Sequence, residues 1–287
     1  HYQLAPAEQW DYPATTQMVL LDIPFQGELR KLLVQVPKHG FVYVLDRVTG
    51  KLLSAEKFTK VTWASGYDLA TGRPIENPQA DYSKTGKAEL VYPGPLGGHN
   101  WNPVSWNPGT GLLYFSELQM PSVYKTDNAV GFKENGRRYN MALDMAGMMD
   151  NPAFLAELRN PRGSLIAWDV ANAKIAWQVP QPLPTNGGTL STAGNLVFHG
   201  TADGRLVAYA ADSGKQLWMA ASTSRPASAG VAATVRRCPT AASWRASPTL
   251  RASRSTRWMA RPRWSRPHRS PAASIRRRLA RRRSRSS

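Results

Sequence analysis

The chain has 287 residues, 42% of them hydrophobic, one cysteine and a formal charge of +18. That length allows one or two domains with a sizeable core, and a single cysteine excludes an internal disulfide framework. The charge does not make the whole chain a nucleic-acid or membrane binder, because residues 221–287 hold 18 Arg and no Lys, Asp or Glu, while residues 1–220 hold 19 basic and 19 acidic side chains.

No stretch of about 18 apolar residues predicts a transmembrane helix, and no basic-then-apolar leader follows His1. A start without Met that reaches Gln9-Trp10-Asp11-Tyr12 almost at once reads as a piece of a longer protein. In chain order, Tyr43-Val44-Leu45-Asp46 followed by Thr49-Gly50-Lys51 predicts a strand and a tight turn. Gly66 to Pro103 is rich in Gly, Pro and polar residues and reads as a long excursion from the sheets. Met141 to Asn160 holds Met141, Met145, Met148 and Met149, a packing surface rather than a metal site. Pro152 there suits the first turn of a short helix after an Asp150-Asn151 cap.

Two later segments repeat. Leu165-Ile166-Ala167-Trp168-Asp169 runs on to Trp177, and Leu206-Val207-Ala208-Tyr209 runs on to Trp218. In each, a Trp follows the Ala by ten residues, and the copies are 41 residues apart. The Tyr43 segment lies 123 residues before the first copy, three periods earlier, with Ser54 in place of the Trp. Asn195 to Gly200 predicts another short strand, and Thr201-Ala202-Asp203-Gly204 a hairpin turn. Asp212-Ser213-Gly214-Lys215 predicts a turn before Gln216-Leu217-Trp218 resumes extended structure. Several short strands per unit of roughly 40 residues, each closed by a Trp packed between neighbours, predict propeller blades, with an all-β sandwich as the alternative.

The final 67 residues contain 18 Arg, 13 Ser, 13 Ala and 6 Pro, with no strand alternation or useful helical period. Arg without Lys is what a GC-rich gene yields when translated in the wrong frame, and a basic arm is the alternative. Either way the segment is expected to stay disordered. The expected organisation is therefore a propeller portion over 1–220 and a non-native tail over 221–287.

Taken together, Trp10-Asp11-Tyr12, Leu29 to Leu33, Pro37-Lys38-His39-Gly40 to Arg47, Trp63-Ala64-Ser65-Gly66-Tyr67-Asp68, Gly98-His99-Asn100-Trp101-Asn102-Pro103 and Gly187-Gly188-Thr189 to Gly204 resemble the quinoprotein alcohol dehydrogenases, in particular the quinohaemoprotein type. The resemblance covers about residues 3–220 and implies an all-β fold: part of an eight-bladed β-propeller of four-stranded antiparallel blades, with pyrroloquinoline quinone (PQQ) and Ca²⁺ on its axis. It implies a periplasmic enzyme that oxidises primary alcohols to aldehydes and passes electrons to a c-type cytochrome or a quinone, with no nucleic-acid partner.

By the same resemblance Asp11 is the catalytic base and a metal ligand. A carboxylate can take the hydroxyl proton, an adjacent cation keeps it ionised, and Ca²⁺ prefers oxygen donors. Lys38 matches a cation that faces the quinone oxygens, where negative charge accumulates. Asn100, Trp101 and Asn186 match loops that contact the cofactor. Without the resemblance Asp11 and Asn100 would read as turn residues, Lys38 as a surface charge and Trp101 as core.

The family's Trp near Thr185 is missing, as is any Cys-x-x-Cys-His haem site. The remaining Ca²⁺ ligands and the groups that sandwich the quinone belong to sequence before His1, and this portion alone is expected to be inactive. A glucose- or polyol-type membrane quinoprotein and a non-catalytic propeller scaffold are the competing readings.

Overall fold

The computed structural model describes residues 1–127, 143–144, 146–160, 162–222 and 233–236. The first blade is β1 (Met18–Phe25), β2 (Glu28–Gln35), β3 (Phe41–Asp46) and β4 (Leu52–Lys57), an antiparallel meander. The excursion follows, and it holds structure of its own. Its elements are the hairpin β5 (Ala64–Asp68) and β6 (Arg73–Glu76), the short helix α1 (Tyr82–Thr85), and β7 (Glu89–Val91).

The second blade begins with β8 (Ser105–Asn107) and β9 (Leu112–Gln119). The chain then leaves it for β10 (Ser122–Tyr124), which pairs with β7, and for helices α2 (Ala146–Met149) and α3 (Pro152–Arg159). It returns as β11 (Arg162–Asp169) and β12 (Lys174–Gln181), giving the order β12-β11-β9-β8. The predicted helix is α3: Asn151 is its N-cap, accepting from the Phe154 amide, and Pro152 sits in the first turn. Of the Met cluster, Met141 and Met145 lie outside the described residues.

The third blade is β13 (Thr189–Thr192), β14 (Leu196–Gly200), β15 (Arg205–Ala210) and β16 (Gln216–Ser222), extended by β17 (Ala233–Arg236). The last strand falls within 221–287, where composition predicted no element. Its Ala-Thr-Val-Arg run is the β-prone part of that stretch, and it pairs along the open edge of β16. The rest of the tail lies outside the described residues.

The 41-residue period is a register. Ala167 faces Trp177 across β11–β12, Ala208 faces Trp218 across β15–β16, and Val44 faces Ser54 across β3–β4. A register shift follows directly in all three, at Ala167/Trp168, Ala208/Tyr209 and Val44/Leu45. The Ser54 copy is thus a true repeat despite lacking the Trp.

Alternation along the strands sorts side chains between neighbouring blades. Val42, Val44, Leu113, Phe115, Ile166 and Trp168 fill the seam between the first and second blades. Tyr114, Leu165, Ala167, Val197, Val207 and Tyr209 fill the next. Trp177 closes that second seam: its indole Nε1 donates to the Ala211 carbonyl at 3.0 Å, and the Tyr114 hydroxyl donates to the same oxygen at 2.9 Å.

The other face of the first blade is covered in part by Trp10, Tyr12, Trp63, Tyr82 and Tyr124. Met18, Leu20 and Leu29 on that face stay exposed, as do Leu190 and Leu206 on the far face of the third blade.

Because each blade is a meander, the approach to its first strand and its second connection lie at one end, and its first and third turns at the other. At that other end every one of the six turns has a residue with left-handed backbone: Gly27, Gly50, Gly111, Ala173, Asn195 and Gly214.

Candidate active site

All five expected site residues lie at one end of the blades. Asp11 precedes β1 and Lys38 lies between β2 and β3, Asn100 and Trp101 precede β8, and Asn186 precedes β13. Up-and-down topology alone brings these distant segments to one end.

Asp11 and Lys38 meet directly. The Lys38 ammonium donates to Asp11 Oδ2 at 3.1 Å and to the Asp11 backbone carbonyl at 3.0 Å. The lysine side chain is 10% exposed and the aspartate 65%, so a nearly buried cation anchors a carboxylate that faces outward. Asp11 has φ +67°, a left-handed conformation uncommon for a residue with a side chain. Strain of this kind persists where surrounding contacts over-determine the backbone.

The loop bearing Asn100 and Trp101 starts against Lys38. The Gly98 amide donates to the Lys38 carbonyl at 2.9 Å. A Cβ on Gly97 would stand 2.5 Å from Lys38 Cγ, and Gly97 has φ +81°, so only glycine fits there. Further on, the Asn102 side chain donates to the Asn186 carbonyl at 2.9 Å, and the Thr189 amide donates to the Pro103 carbonyl at 2.9 Å.

Asn100, Trp101 and Asn186 line one open cleft of about 500 Å³, together with Leu96, His99 and Leu118. Trp101 is 74% exposed, against the core packing its type would suggest. Asn186 is buried and already committed: its Nδ2 donates to the Leu183 carbonyl and its Oδ1 accepts from the Ala202 amide. It shapes the cleft wall.

Three histidines that sequence reading passed over sit at the same end, each beside a glycine: His39 before Gly40, His99 after Gly98, and His199 before Gly200 at the end of β14. All three are buried. Burial pushes His39 down to about 3 and His99 and His199 to about 4, so each is neutral at pH 7. The His99 ring nitrogen Nδ1 lies 2.8 Å from the Ser116 carbonyl, an acceptor, so Nδ1 carries the proton.

Successive meander sheets, repeated in register and presenting their chemical groups at one end, define a β-propeller whose site lies over its connecting loops. The chain belongs to the PQQ-dependent alcohol dehydrogenase family: residues 1–62 and 67–232 match the family's glucose/ethanol/alcohol dehydrogenase β-propeller domain. It is 49% identical over 218 residues to the quinohemoprotein alcohol dehydrogenase ADH IIB of Pseudomonas putida, covering 76% of this chain and 30% of that protein. The solved quinohemoprotein alcohol dehydrogenase ADHIIG of the same species superposes with a TM-score of 0.70 at 42% identity, covering 78% of this chain and 35% of that one. The enzyme from Comamonas testosteroni gives 0.68 at 42% identity, over 76% and 32% respectively. The chain thus spans about a third of the length of these relatives.

Proposed function

We propose that this chain is the base-bearing portion of a periplasmic, PQQ- and Ca²⁺-dependent alcohol dehydrogenase whose full ring has eight blades. The Lys38–Asp11 pair is the observation that supports it. With Oδ2 engaged by Lys38, no hydrogen bond ties Oδ1 among the described residues. That oxygen can accept the hydroxyl proton of a primary alcohol.

The residues present fit the quinone. Lys38 is a nearly buried cation whose charge favours negative charge accumulating on a neighbouring oxygen. The exposed Trp101 offers an aromatic face, and Asn100 an amide at the cleft. When bound, PQQ accepts the two electrons and the carbon-bound hydrogen that the alcohol gives up. A cytochrome c or a quinone is the proposed electron acceptor.

Ca²⁺ takes six to eight oxygens, and among the described residues no group of three or more His, Cys, Asp or Glu side chains could hold a metal ion. Asp11 would therefore be one ligand of a set completed from elsewhere. A glucose- or polyol-type relative is the second reading, and the Asn100-Trp101 and Trp63-Ala64-Ser65-Gly66 segments favour the alcohol type.

The test is a chimera in which residues 3–220 replace their counterpart in the 49%-identical quinohaemoprotein. It should oxidise primary alcohols. Asp11→Asn in it should lower turnover by about 10²–10⁴-fold while PQQ stays bound. Near-normal turnover of that variant would show that another group takes the proton, and a chimera that binds no PQQ would favour the scaffold reading.

A further inference from the structure

We propose that Tyr124 is a positioning residue for Asp11: its hydroxyl, donated to the Trp10 carbonyl, holds the Trp10–Asp11 peptide in the left-handed turn that keeps the Asp11 carboxylate on Lys38. The inference rests on reading Asp11 as the proton acceptor.

The geometry is local and specific. The Tyr124 hydroxyl lies 2.8 Å from the Trp10 carbonyl oxygen, 114 residues away in sequence. That oxygen belongs to the peptide plane whose nitrogen is Asp11's, so rotating Asp11 about φ swings the Trp10 carbonyl with it. A donor fixed on that carbonyl therefore resists relaxation of φ from +67° to the negative values a side-chain-bearing residue prefers. On the other side of the Asp11 Cα, the carbonyl and Oδ2 are held by Lys38. The residue is pinned from both ends.

Tyr124 is suited to the task. It lies on β10, which pairs with β7 outside the blades, in the order Tyr124 opposite Glu89. Its ring stacks on Tyr82, with centroids 5.4 Å apart and planes at 23°. The Tyr82 hydroxyl holds the preceding carbonyl, that of Gln9, at 2.8 Å, and the Trp10 indole donates to the Ala80 carbonyl at 3.1 Å. Burial pushes the Tyr124 phenol up, so it remains a protonated donor throughout the neutral and mildly alkaline range. Tyr82, from the excursion between the first two blades, and Tyr124, from the one between β9 and β11, thus act together at the site from outside the blades.

The experiment uses the 287-residue chain itself and measures the acetylation rate of each lysine by peptide mass mapping. In wild type Lys38 is shielded and paired, while Lys51 and Lys87 are exposed. Tyr124→Phe keeps the stacked ring and removes only the hydroxyl. It should raise Lys38 labelling about two- to tenfold, the effect of losing one hydrogen bond between neutral groups, with Lys51 and Lys87 unchanged. In an Asp11→Ala background, where Lys38 has already lost the carboxylate, Tyr124→Phe should add nothing further.

An unchanged Lys38 rate would overturn the proposal. So would an equal rise in the Asp11→Ala background, or a rise shared by Lys51 and Lys87, since each would make Tyr124 a structural residue only. The assay reads no catalysis, so loss of the alcohol dehydrogenase reading would come from the chimera and not from this measurement.

Discussion

The ring of Trp177 occupies the space that a side chain on Gly214 would need. A Cβ there would stand 2.6 Å from the Trp177 Cε3, and Gly214 has φ +71°. Outer strand and neighbouring turn are thereby locked as one seam. Trp177→Ala should remove this contact and the Ala211 hydrogen bond, costing about 2–4 kcal/mol given that the ring is only half-buried. Gly214→Ala should cost about 1–3 kcal/mol through backbone strain alone. Urea unfolding midpoints of both variants check this, and losses under a few tenths of a kcal/mol would show that the seam does not depend on the pair.

Stability should fall on mild acidification. The three buried histidines bind protons near 6.5 when unfolded but only near 3 to 4 when folded. Between those limits the unfolded chain holds more protons, so stability is full above about pH 6.5 and declines as pH drops towards 4, by up to about 1.4 kcal/mol per pH unit for each histidine. Denaturant midpoints at pH 7.5, 6 and 5 would show it. A flat profile down to pH 5 would mean that these rings are hydrated in solution.

Lys38→Met should separate binding from folding. Asp11 is largely exposed, so its carboxylate stays hydrated when the lysine is removed, and a pair of that kind contributes about 0–1 kcal/mol. Melting should therefore change little while PQQ affinity drops, measured through quenching of tryptophan fluorescence in the chimera. Equal affinity for both forms would remove Lys38 from the cofactor site.

The 287-residue chain alone should reduce no artificial dye with ethanol, even with PQQ and Ca²⁺ added. Asp11 is a single oxygen-donor residue without a surrounding cluster among the described residues. Exposed Met18, Leu20 and Leu29 on one blade face and Leu190 and Leu206 on another should also make it self-associate. Turnover above a cofactor-only control, or a monodisperse monomer by light scattering, would contradict the respective expectation.

The repeat was legible because its spacing is a pairing register: a Trp ten residues after an Ala is the residue opposite it across one hairpin. The α3 cap was legible because it is contained in four residues, Asn151 to Phe154. The clamp on Asp11 was not. Tyr82 and Tyr124 reach Gln9 and Trp10 across 73 and 114 residues, and no local pattern marks a tyrosine as a donor to a distant carbonyl. The histidines were missed for a related reason: neither a His in a Gly-containing loop nor one near the end of a predicted strand marks itself as buried, and His39 is covered by Tyr12 and Trp63, 27 and 24 residues away.

The six left-handed turns divide the molecule into an end that is fixed in length and an end that is not. Each of those turns closes two strands in set register, so one inserted residue would move a strand's whole apolar row to its opposite face. At the site end, by contrast, the connection from β9 to β11 runs through two helices and a separate strand without disturbing the register of either. Insertion of a short tag should therefore be accepted within the site-end excursions and rejected at Gly50, Gly111 or Gly214. Sequence length is free to vary only where it can alter what reaches the cleft.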